Sequence, residues 1–478
     1  MSVSTVSRIG SFIGARDVVH DGASFDLVGP QDGAIIARIA EAGRSGVDAA
    51  VAAAKAAAAA HRKSPIHQRA AWLKDAAAAL AGANEEFARI ICEDVGKPIR
   101  IARGEVKRGV EFIEACAAAV TQMGGELLPL DAVAMGTGHI GFTRRVPYGV
   151  VAAITPFNAP INLLVQKVAP AIAAGNAVVV KPAPAGTRTA VQLARLFVNA
   201  GWPKDLFNVV TGDKETALAL VSHPDVRAVS FTGSSQGGEA LARATGAKKF
   251  LAELGSNAAN IVMADADIDD AAKRIAQAGF EASGQQCISA QRVLVDRKIA
   301  AAFVPKFVAA AKALKAGRAD DPATDVGPMV SVAAADRVMA MCADAVAKGA
   351  KYALEPRRDG ALVSPAILTG VPKSARLWQE EVFGPVAIVA EFDGVDEALA
   401  LANDSPFGLQ GALFTRDLGT ALRFSEDFDV GSLWINQASR FRLDMYPFGG
   451  MKQSGVGREG VRYAIEEMSQ IKFTGIRA

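Results

Sequence analysis

The chain has 478 residues, a length that exceeds one compact core and indicates about three domain-sized units. Its 52 Lys and Arg residues nearly balance 50 Asp and Glu residues, and no basic block is interleaved with aromatic residues, so a nucleic-acid partner has no support. The first residues lack the apolar run of a secretory signal, and no stretch reaches the roughly 18 apolar residues of a membrane span. We therefore expect a soluble protein without a membrane partner.

The four cysteines are Cys92, Cys116, Cys287 and Cys342, and no two of them form a CxxC pair. None has a histidine at metal-ligand spacing, so the sequence predicts neither a disulfide framework nor a metal site. This pattern is typical of a reducing compartment, and we expect a cytoplasmic protein. A hydrophobic fraction of 50% with 45 glycines is typical of a large α/β protein whose parallel strands are covered on both faces.

The first predicted elements are helices. Residues 47–61 are almost all alanine, the residue with the highest helix propensity, and helical patterns continue over 68–80 and 84–93. We interpret this region as scaffold.

From residue 150 the chain alternates regularly between strands and helices. The predicted strands are 150–154, 177–180, 207–210, 226–231 and 249–253, and the predicted helices are 161–174, 189–199, 215–222 and 235–244. This order predicts a doubly wound nucleotide-binding unit. Ligands of such sheets bind beyond the carboxyl ends of the strands, where Asn158, Lys181, Gly233 and Glu253 lie.

A second α/β unit follows, with predicted strands 259–263 and 292–295, predicted helices 268–283 and 298–316, and further alternation to about residue 448. Cys287 falls in a loop between a helix and a strand. Residues 126–146 are β-prone and predict a hairpin, and residues 470–475 predict one more strand. Neither segment has a place in the two main sheets.

Cys287 and Glu253, 34 residues before it, are the candidate catalytic pair. A cysteine thiolate attacks carbonyl carbon well, and the thioester that results needs a water activated by a base. A glutamate in an enclosed site can provide that base.

Eight short motifs, in this order and spacing, carry a resemblance to a known family. They are Pro156-Phe157-Asn158, Lys181-Pro182, Phe231-Thr232-Gly233-Ser234, Glu253-Leu254-Gly255, Gly284-Gln285-Gln286-Cys287, Glu381-Val382-Phe383-Gly384-Pro385, Trp434-Ile435-Asn436 and Pro447-Phe448-Gly449-Gly450. The chain resembles the NAD(P)-dependent aldehyde dehydrogenase superfamily, from about Glu93 to its end. The resemblance implies an α/β fold with a Rossmann-type cofactor domain, an α/β catalytic domain and a small β oligomerisation element.

The resemblance also implies the catalytic roles. Cys287 is the nucleophile, Asn158 supplies the side-chain amide of an oxyanion hole, and Glu253 is the general base for thioester hydrolysis. None of the five histidines lies in a matched motif, so a Cys–His pair has no support.

The implied cofactor is NAD or NADP. Gly233 and Gly238 belong to a turn from a strand into a helix whose amino end can face a pyrophosphate. In relatives the residue at Lys181 contacts the adenosine ribose, and Glu381 holds the nicotinamide ribose beside Phe383. The full set of expected cofactor residues is Thr155, Pro156, Phe157, Lys181, Pro184, Gly233, Ser234, Gly238, Leu254, Glu381 and Phe383.

Pro184 stands where many NAD-specific members have an acid that pairs with the ribose 2′-hydroxyl. Without that acid a 2′-phosphate would not be repelled there, so we expect use of NADP as well as NAD. Lys181 and Arg188 are the candidate phosphate partners. An unchanged preference for NAD stays open.

The candidate substrate residues predict a roomy, partly polar tunnel. Ala159 stands where aromatic-lined relatives have a bulky residue, Gln166 lies on the helix that follows, and Phe448 is expected as an aromatic wall. Arg440 and Arg442 lie in the loop before Phe448 and can meet a carboxylate or hydroxyl, or can be ordinary solvated or ion-paired arginines.

Gln286 precedes the nucleophile where relatives that act on phosphorylated or phosphonate aldehydes tend to carry arginine. This favours a short hydroxy or oxo aldehyde such as lactaldehyde. The run from Phe448 to Met468 nevertheless resembles the lactaldehyde and phosphonoacetaldehyde branch, so aromatic, phosphonate and phospho-aldehydes stay as alternatives.

Three other functional classes compete. A CoA-acylating dehydrogenase commonly lacks the base, so Glu253 argues against it. A silent structural relative would have lost Cys287. A binding module of Rossmann type has no reason to keep a cysteine, an asparagine and a glutamate at the family's spacing.

We expect a cofactor domain over residues 1–123 and 144–252 and a catalytic domain over 253–449. Residues 124–143 and 450–478 are expected to form the oligomerisation element and the C-terminal tail. Relatives pair such hairpins, so a homodimer or homotetramer is the expected assembly, with a small-molecule aldehyde as the other partner.

Overall fold

The computed structural model describes residues 6–477. The helices are α1 (Gly43–His61), α2 (Ile66–Gly82), α3 (Asn84–Val95), α4 (Ile99–Val120), α5 (Asn162–Ala174), α6 (Thr187–Asn199), α7 (Lys214–Ser222), α8 (Ser235–Thr245), α9 (Ile268–Phe280), α10 (Arg297–Ala313), α11 (Val332–Ala347), α12 (Arg376–Gln379), α13 (Gly394–Asn403), α14 (Leu418–Asp427) and α15 (Val461–Glu467).

The strands are β1 (Ser7–Ile9), β2 (Ser11–Ile13), β3 (Arg16–Val18), β4 (Ser24–Val28), β5 (Ile35–Ala40), β6 (Leu127–Leu128), β7 (His139–Pro147), β8 (Val150–Thr155), β9 (Ala177–Pro182), β10 (Phe207–Val209), β11 (Val226–Thr232), β12 (Lys249–Glu253), β13 (Ala259–Val262), β14 (Arg292–Asp296), β15 (Lys351–Leu354), β16 (Arg358–Asp359), β17 (Leu362–Val363), β18 (Ala366–Thr369), β19 (Val386–Phe392), β20 (Phe407–Gly408), β21 (Gln410–Phe414), β22 (Ser432–Ile435), β23 (Met451–Lys452), β24 (Gly455–Val456) and β25 (Ser469–Arg477).

The first main sheet has eight strands in the order β24-β12-β11-β8-β9-β10-β2-β3. Its five central strands run parallel, while β24, β2 and β3 pair antiparallel at the edges. All six residues of β8 and all six of β9 are buried, as expected for parallel strands covered by helices on both faces. The predicted alternation of strands and helices from residue 150 is confirmed.

The second main sheet has seven strands in the order β15-β18-β19-β14-β13-β21-β22, of which only β15 pairs antiparallel. One buried apolar cluster surrounds the first sheet, and two more pack against the second. Two α/β cores in one chain agree with the predicted fold class.

A third, three-stranded sheet has the order β25-β7-β6. Strand β7 pairs antiparallel with β25 along nine residues, from Pro147 opposite Ser469 to His139 opposite Arg477. The predicted hairpin and the predicted last strand therefore belong together. Strand β24 lies elsewhere, because it pairs with β12 in the first sheet. The three-stranded sheet thus includes only part of residues 450–478, and the division into domains and an oligomerisation element stays a prediction.

One predicted helix ends early. The pattern over residues 268–283 predicts a continuous helix, but α9 ends at Phe280 and a tight turn over Glu281–Gly284 follows. Ala282 and Ser283 have φ of 52° and 60°, which is left-handed backbone that a right-handed helix cannot contain. Among the described residues, no helix is both long enough and apolar enough to cross a membrane.

Candidate active site

Cys287 is carried by the turn that ends α9. The turn has left-handed backbone at Ala282, Ser283 and Gly284, and a Cβ on Gly284 would clash with the carbonyl oxygen of Gly384. Only glycine fits there without moving the backbone. The Ser283 hydroxyl donates to the Gly327 carbonyl at 2.7 Å and fixes the turn from the other side. Long-range contacts thus hold the strained loop that presents the thiol.

The thiol opens into a cavity of about 540 Å³ between the two main sheets. The sequence-predicted residues that line it together are Cys287, Asn158, Ala159, Gln166, Gln286, Arg440 and Arg442. Phe448 and Glu253, also predicted at the site, do not line this cavity. Asn158 follows the end of β8, so the cavity meets the carboxyl edge of the first sheet.

Cys287 rests against apolar neighbours. Its side chain packs against a cluster formed by Ile288, Leu409 and Phe448. Burial raises the pKa of the thiol to about 12, and the negative charge of Glu381 adds to the rise, whereas Arg442 opposes it. The resting form of this site is therefore a thiol, and a neighbouring cation limits the cost of forming the thiolate.

Glu253 lies beside the cavity, in a narrow space that it shares with Gln166, Arg458 and Glu459. Only 5% of the residue is exposed, and its Oε2 atom has no hydrogen-bond partner among the described residues. Burial raises the pKa of this carboxyl well above its ordinary value, and the charge of Glu459 raises it further. In this position burial favours the neutral acid form of Glu253 over its carboxylate.

A buried charge network connects the two spaces. Lys167 Nζ donates to Glu459 Oε1 at 3.0 Å, and Arg442 Nη2 donates to Glu459 Oε2 at 3.0 Å and to Gln166 Oε1 at 3.1 Å. The Arg442 guanidinium also lies 3.6 Å from the centre of the Phe448 ring. Arg442 thus covers the aromatic wall that the sequence predicts, which is why Phe448 does not reach the cavity.

Sequence reasoning missed Lys167 and Glu459. Lys167 is the only charged residue of α5, whose other residues are mostly apolar, and a lone cation in such a helix is a readable signal of a buried partner. Glu459 gave no comparable signal, because it sits in a glycine-rich loop 292 residues further on.

The charged residues at the cavity mouth are paired. Arg440 Nε donates to Gln286 Oε1 at 2.7 Å and its Nη1 contacts Glu281, while Arg108 forms two bonds to Asp444 at 2.7 and 2.9 Å. Arg108 and Asp444 were also missed from the sequence. The mouth therefore combines many polar donors with little net charge.

A second buried pair supports the Asn158 loop. Lys97 and Glu105 form an ion pair in which both side chains are at least 95% buried. Glu105 Oε1 also accepts the backbone N–H groups of Ile161 at 2.8 Å and Asn162 at 3.3 Å, at the start of α5. This carboxylate fixes the chain three residues after Asn158 and so helps to place its amide.

The strand-to-helix turn at Gly233 is shaped for an anion. Ser234 accepts the Gly237 N–H at 3.1 Å and caps α8, whose free amino end faces the carboxyl edge of the sheet. A Cβ on Gly238 would collide with the side chain of Leu254, so α8 packs closely at this point. These residues fit the pyrophosphate of a dinucleotide.

Five further predicted cofactor residues lie near this crevice. Glu381 accepts the Ser256 N–H at 3.0 Å, and burial raises the pKa of its carboxyl to about 7. Phe383, with φ of 49°, meets Phe157 edge to face with ring centres 5.9 Å apart. Thr155 and Pro156 link β8 to Phe157. A carboxyl beside two aromatic rings fits a ribose and a planar ring.

The part of the cofactor site that is expected to hold the adenosine differs from the sequence prediction at one residue. Lys181 is 6% exposed at the end of β9, and Pro184 begins a short turn after it. Arg188 points elsewhere, since it pairs with Glu93 at 2.6 Å and Asp94 at 2.9 Å. The proposal that Arg188 meets a 2′-phosphate therefore has no geometric support.

Comparison with known proteins decides the family, because the aldehyde dehydrogenase family model matches residues 18–474. The chain belongs to this family. It is 43% identical to 3-sulfolactaldehyde dehydrogenase of Priestia megaterium over 91% of each chain. It is 38% identical to lactaldehyde dehydrogenase of Methanocaldococcus jannaschii over 94% of this chain and 96% of that one.

The fold agrees with the same family. The crystal structure of aldehyde dehydrogenase 21 from Physcomitrella patens in complex with its product succinate matches with a TM-score of 0.95 and 34% identity over 99% of both chains. Similar structures contain NAD⁺ or NADP. The enzyme is an oxidoreductase that acts on aldehydes with NAD or NADP as cofactor. Within residues 6–477, no group of three or more His, Cys, Asp or Glu side chains is placed to hold a metal ion.

Proposed function

We propose that this aldehyde dehydrogenase oxidises a short polar aldehyde to its carboxylic acid through a covalent intermediate on Cys287. The Cys287 sulfur adds to the carbonyl carbon and forms a thiohemiacetal, whose oxyanion accepts hydrogen bonds from the Asn158 amide and the Cys287 N–H. The observation that carries this proposal is that Cys287 and Asn158 line one cavity at the carboxyl edge of the first sheet.

The cofactor supplies the oxidation when it is bound, because NAD(P)⁺ accepts the hydride that leaves the thiohemiacetal carbon. We infer that Gly233, Ser234 and the amino end of α8 hold its pyrophosphate, Lys181 its adenosine ribose and Glu381 its nicotinamide ribose. Phe383 and Phe157 restrict the same crevice.

Hydrolysis of the Cys287 thioester requires a base, and we propose Glu253. Its placement beside the cavity fits a carboxyl that takes a proton from water and returns it to solvent. Because its pKa is raised, the deprotonated form is favoured only at higher pH. We therefore expect kcat to rise with pH, with a midpoint above that of an ordinary glutamate.

A polar substrate is supported by the cavity wall. Gln166, Gln286 and Asn158 present amides, and the wall includes both cationic and acidic side chains. An aromatic aldehyde would bury these groups without hydrogen bonds, at a cost of about 1–3 kcal/mol each. A short hydroxy or oxo aldehyde such as lactaldehyde satisfies them.

One observation favours an anionic aldehyde as the second candidate. Arg442 Nε is buried without a hydrogen-bond partner among the described residues, and its guanidinium lines the cavity. A sulfonate or carboxylate two or three bonds from the aldehyde could satisfy it. The relatives named for sulfolactaldehyde and lactaldehyde are similar to this chain at 43% and 38% identity, which suits both candidates.

A substrate panel tests the proposal. Initial rates with lactaldehyde, 3-sulfolactaldehyde, succinate semialdehyde, phosphonoacetaldehyde and benzaldehyde, each with and without CoA, would be measured on the wild type and on Cys287→Ala. We expect the highest kcat/KM among the first three aldehydes, no need for CoA and no activity in the variant. Oxidation that survives in Cys287→Ala, or strict CoA dependence, would refute the mechanism. A preference for benzaldehyde would refute the substrate class.

We also propose that the three-stranded sheet joins subunits. Leu127 and Ile140 lie on one of its faces and Ile471 and Phe473 lie on the other, each about half exposed or more. Exposed apolar residues on a sheet with a free edge are typical of an interface, and we propose a homodimer or homotetramer.

A further inference from the structure

Two carboxylates flank the cofactor lysine although Pro184 removes the acid expected there. Strand β10 lies beside β9, so the chain after β10 leaves the sheet next to Lys181 and reaches Asp213 at the cap of α7. Glu41 is brought to the same place because Ala42 donates its N–H to the Thr211 carbonyl at 2.8 Å. Three segments that are distant in sequence thus converge at the adenosine end.

Asp213 and Glu41 line a common cavity of about 490 Å³ together with Glu215 and Arg44. The wall is acidic, because Arg44 is paired with Asp48 at 3.2 Å. A 2′-phosphate would bring about −1.5 to −2 charges into this region. A ribose 2′-hydroxyl is uncharged and would donate a hydrogen bond that a carboxylate accepts.

Lys181 is the second, independent observation. Its side chain is buried, with 6% of the residue exposed, and it has no hydrogen-bond partner among the described residues. Burial lowers the pKa of its ammonium to about 8, while Asp213 and Glu41 act in the opposite direction. The charge of this unpaired buried lysine is balanced by two carboxylates, so the site suits a neutral polar ligand with both donors and acceptors. Arg188, the other candidate cation, is already bound to Glu93 and Asp94.

We propose that Asp213 and Glu41 replace the missing acid at Pro184 and make the enzyme prefer NAD over NADP. This specificity rests on the family's use of NAD or NADP and does not depend on which aldehyde is oxidised. Pro184 alone predicted that NADP is used as well as NAD, whereas the two carboxylates predict a preference for NAD.

Direct binding tests the proposal without any aldehyde. NADH and NADPH differ only by the 2′-phosphate, and each would be titrated into the full-length protein while nicotinamide fluorescence is followed. We expect the wild type to bind NADH at least about tenfold more tightly, which corresponds to 1.4 kcal/mol. The difference between the NADH and NADPH affinities should narrow as salt concentration rises, because added ions screen the carboxylates.

The variants are Asp213→Asn, Glu41→Gln and the double variant. Asparagine keeps the N-cap acceptor of α7, so the fold is preserved while the charge is lost. In the double variant the affinity for NADPH should rise at least about fivefold relative to the affinity for NADH. Glu111→Gln, which removes an exposed carboxylate on α4, is the matched control and should leave both affinities unchanged.

Two results would overturn the proposal. One is equal affinity of the wild type for NADH and NADPH. The other is an unchanged difference between the two affinities in a double variant whose thermal melt matches that of the wild type. If the single variant Asp213→Asn unfolds, Glu41→Gln alone must still narrow this difference. Failure of the proposed aldehyde chemistry would appear in the substrate panel and would leave these affinities unaffected.

Discussion

Replacing Glu459 with glutamine removes the shared acceptor of two buried cations. In the wild type its carboxylate binds Lys167 and Arg442 at 3.0 Å each, and the side chains of these cations are only 1% and 7% exposed. A glutamine keeps the size of the side chain but not the charge. The amide oxygen of glutamine can still accept a hydrogen bond, but Lys167 then has only neutral partners, this oxygen and the Ser230 hydroxyl at 3.2 Å.

Leaving a buried charge without its counterion typically costs about 3–5 kcal/mol. Arg442 keeps its bond to Gln166, so we expect a loss near the lower end, about 3 kcal/mol, in the free energy of unfolding. The measurement is urea unfolding followed by tryptophan fluorescence at pH 7. Glu239→Gln breaks an exposed pair with Arg243 and should cost less than about 1 kcal/mol.

The loss of unfolding free energy in Glu459→Gln should become smaller as pH falls. Burial alone would raise the pKa of Glu459, but Lys167 and Arg442 outweigh it, so its folded-state pKa is lowered. Such a group contributes stability above its unfolded pKa and loses it as pH falls through the folded pKa. The difference between wild type and Glu459→Gln should therefore be largest near neutral pH and shrink in acid.

The same substitution should move the pH–rate profile. Glu459 raises the pKa of Glu253, while Lys167 and Arg442 lower it. Without the Glu459 charge all remaining neighbours favour the Glu253 carboxylate, so the rising limb of kcat should shift to lower pH. An unfolding cost below about 1 kcal/mol, or a limb that shifts to higher pH, would refute this account of the network.

Three other substitutions test separate parts of the molecule. Asn158→Ala should lower kcat about a hundred- to a thousandfold in steady-state assays with little change in KM, and a merely tenfold loss would exclude an oxyanion role. Gly238→Ala forces a methyl group against Leu254 and should lower the free energy of unfolding by about 1–3 kcal/mol and weaken NADH binding. Unchanged stability and binding would show that α8 shifts freely. Phe473→Glu places a charge on the exposed face of β25 and should reduce the assembly size seen by sedimentation velocity. An unchanged sedimentation coefficient would place the interface elsewhere.

The positions of the strand ends could be predicted from sequence, because local patterns fix them. The continuous apolar runs over 150–154 and 177–180 predict buried parallel strands, and the observed strands end one and two residues later, at Thr155 and Pro182. Their ends place Asn158 and Lys181 at one edge of the sheet. The structure brings Asn158 and Cys287 to one cavity, as the motif order implies. The residue at which α9 ends could not be predicted, because contacts with distant residues impose the left-handed backbone at Ala282.

What the sequence by itself determined is the family's set of elements, the edge of the sheet where the ligands gather and the chemical types present there. The tertiary structure alone decided the partners of the charges: Arg442 lies on Phe448, Arg188 turns to Glu93, and Glu253 occupies its own narrow space beside Glu459. The physical reason is that periodicity and propensity act over a few residues. The partner and the pKa of a buried charge depend instead on groups that the fold brings together across hundreds of residues.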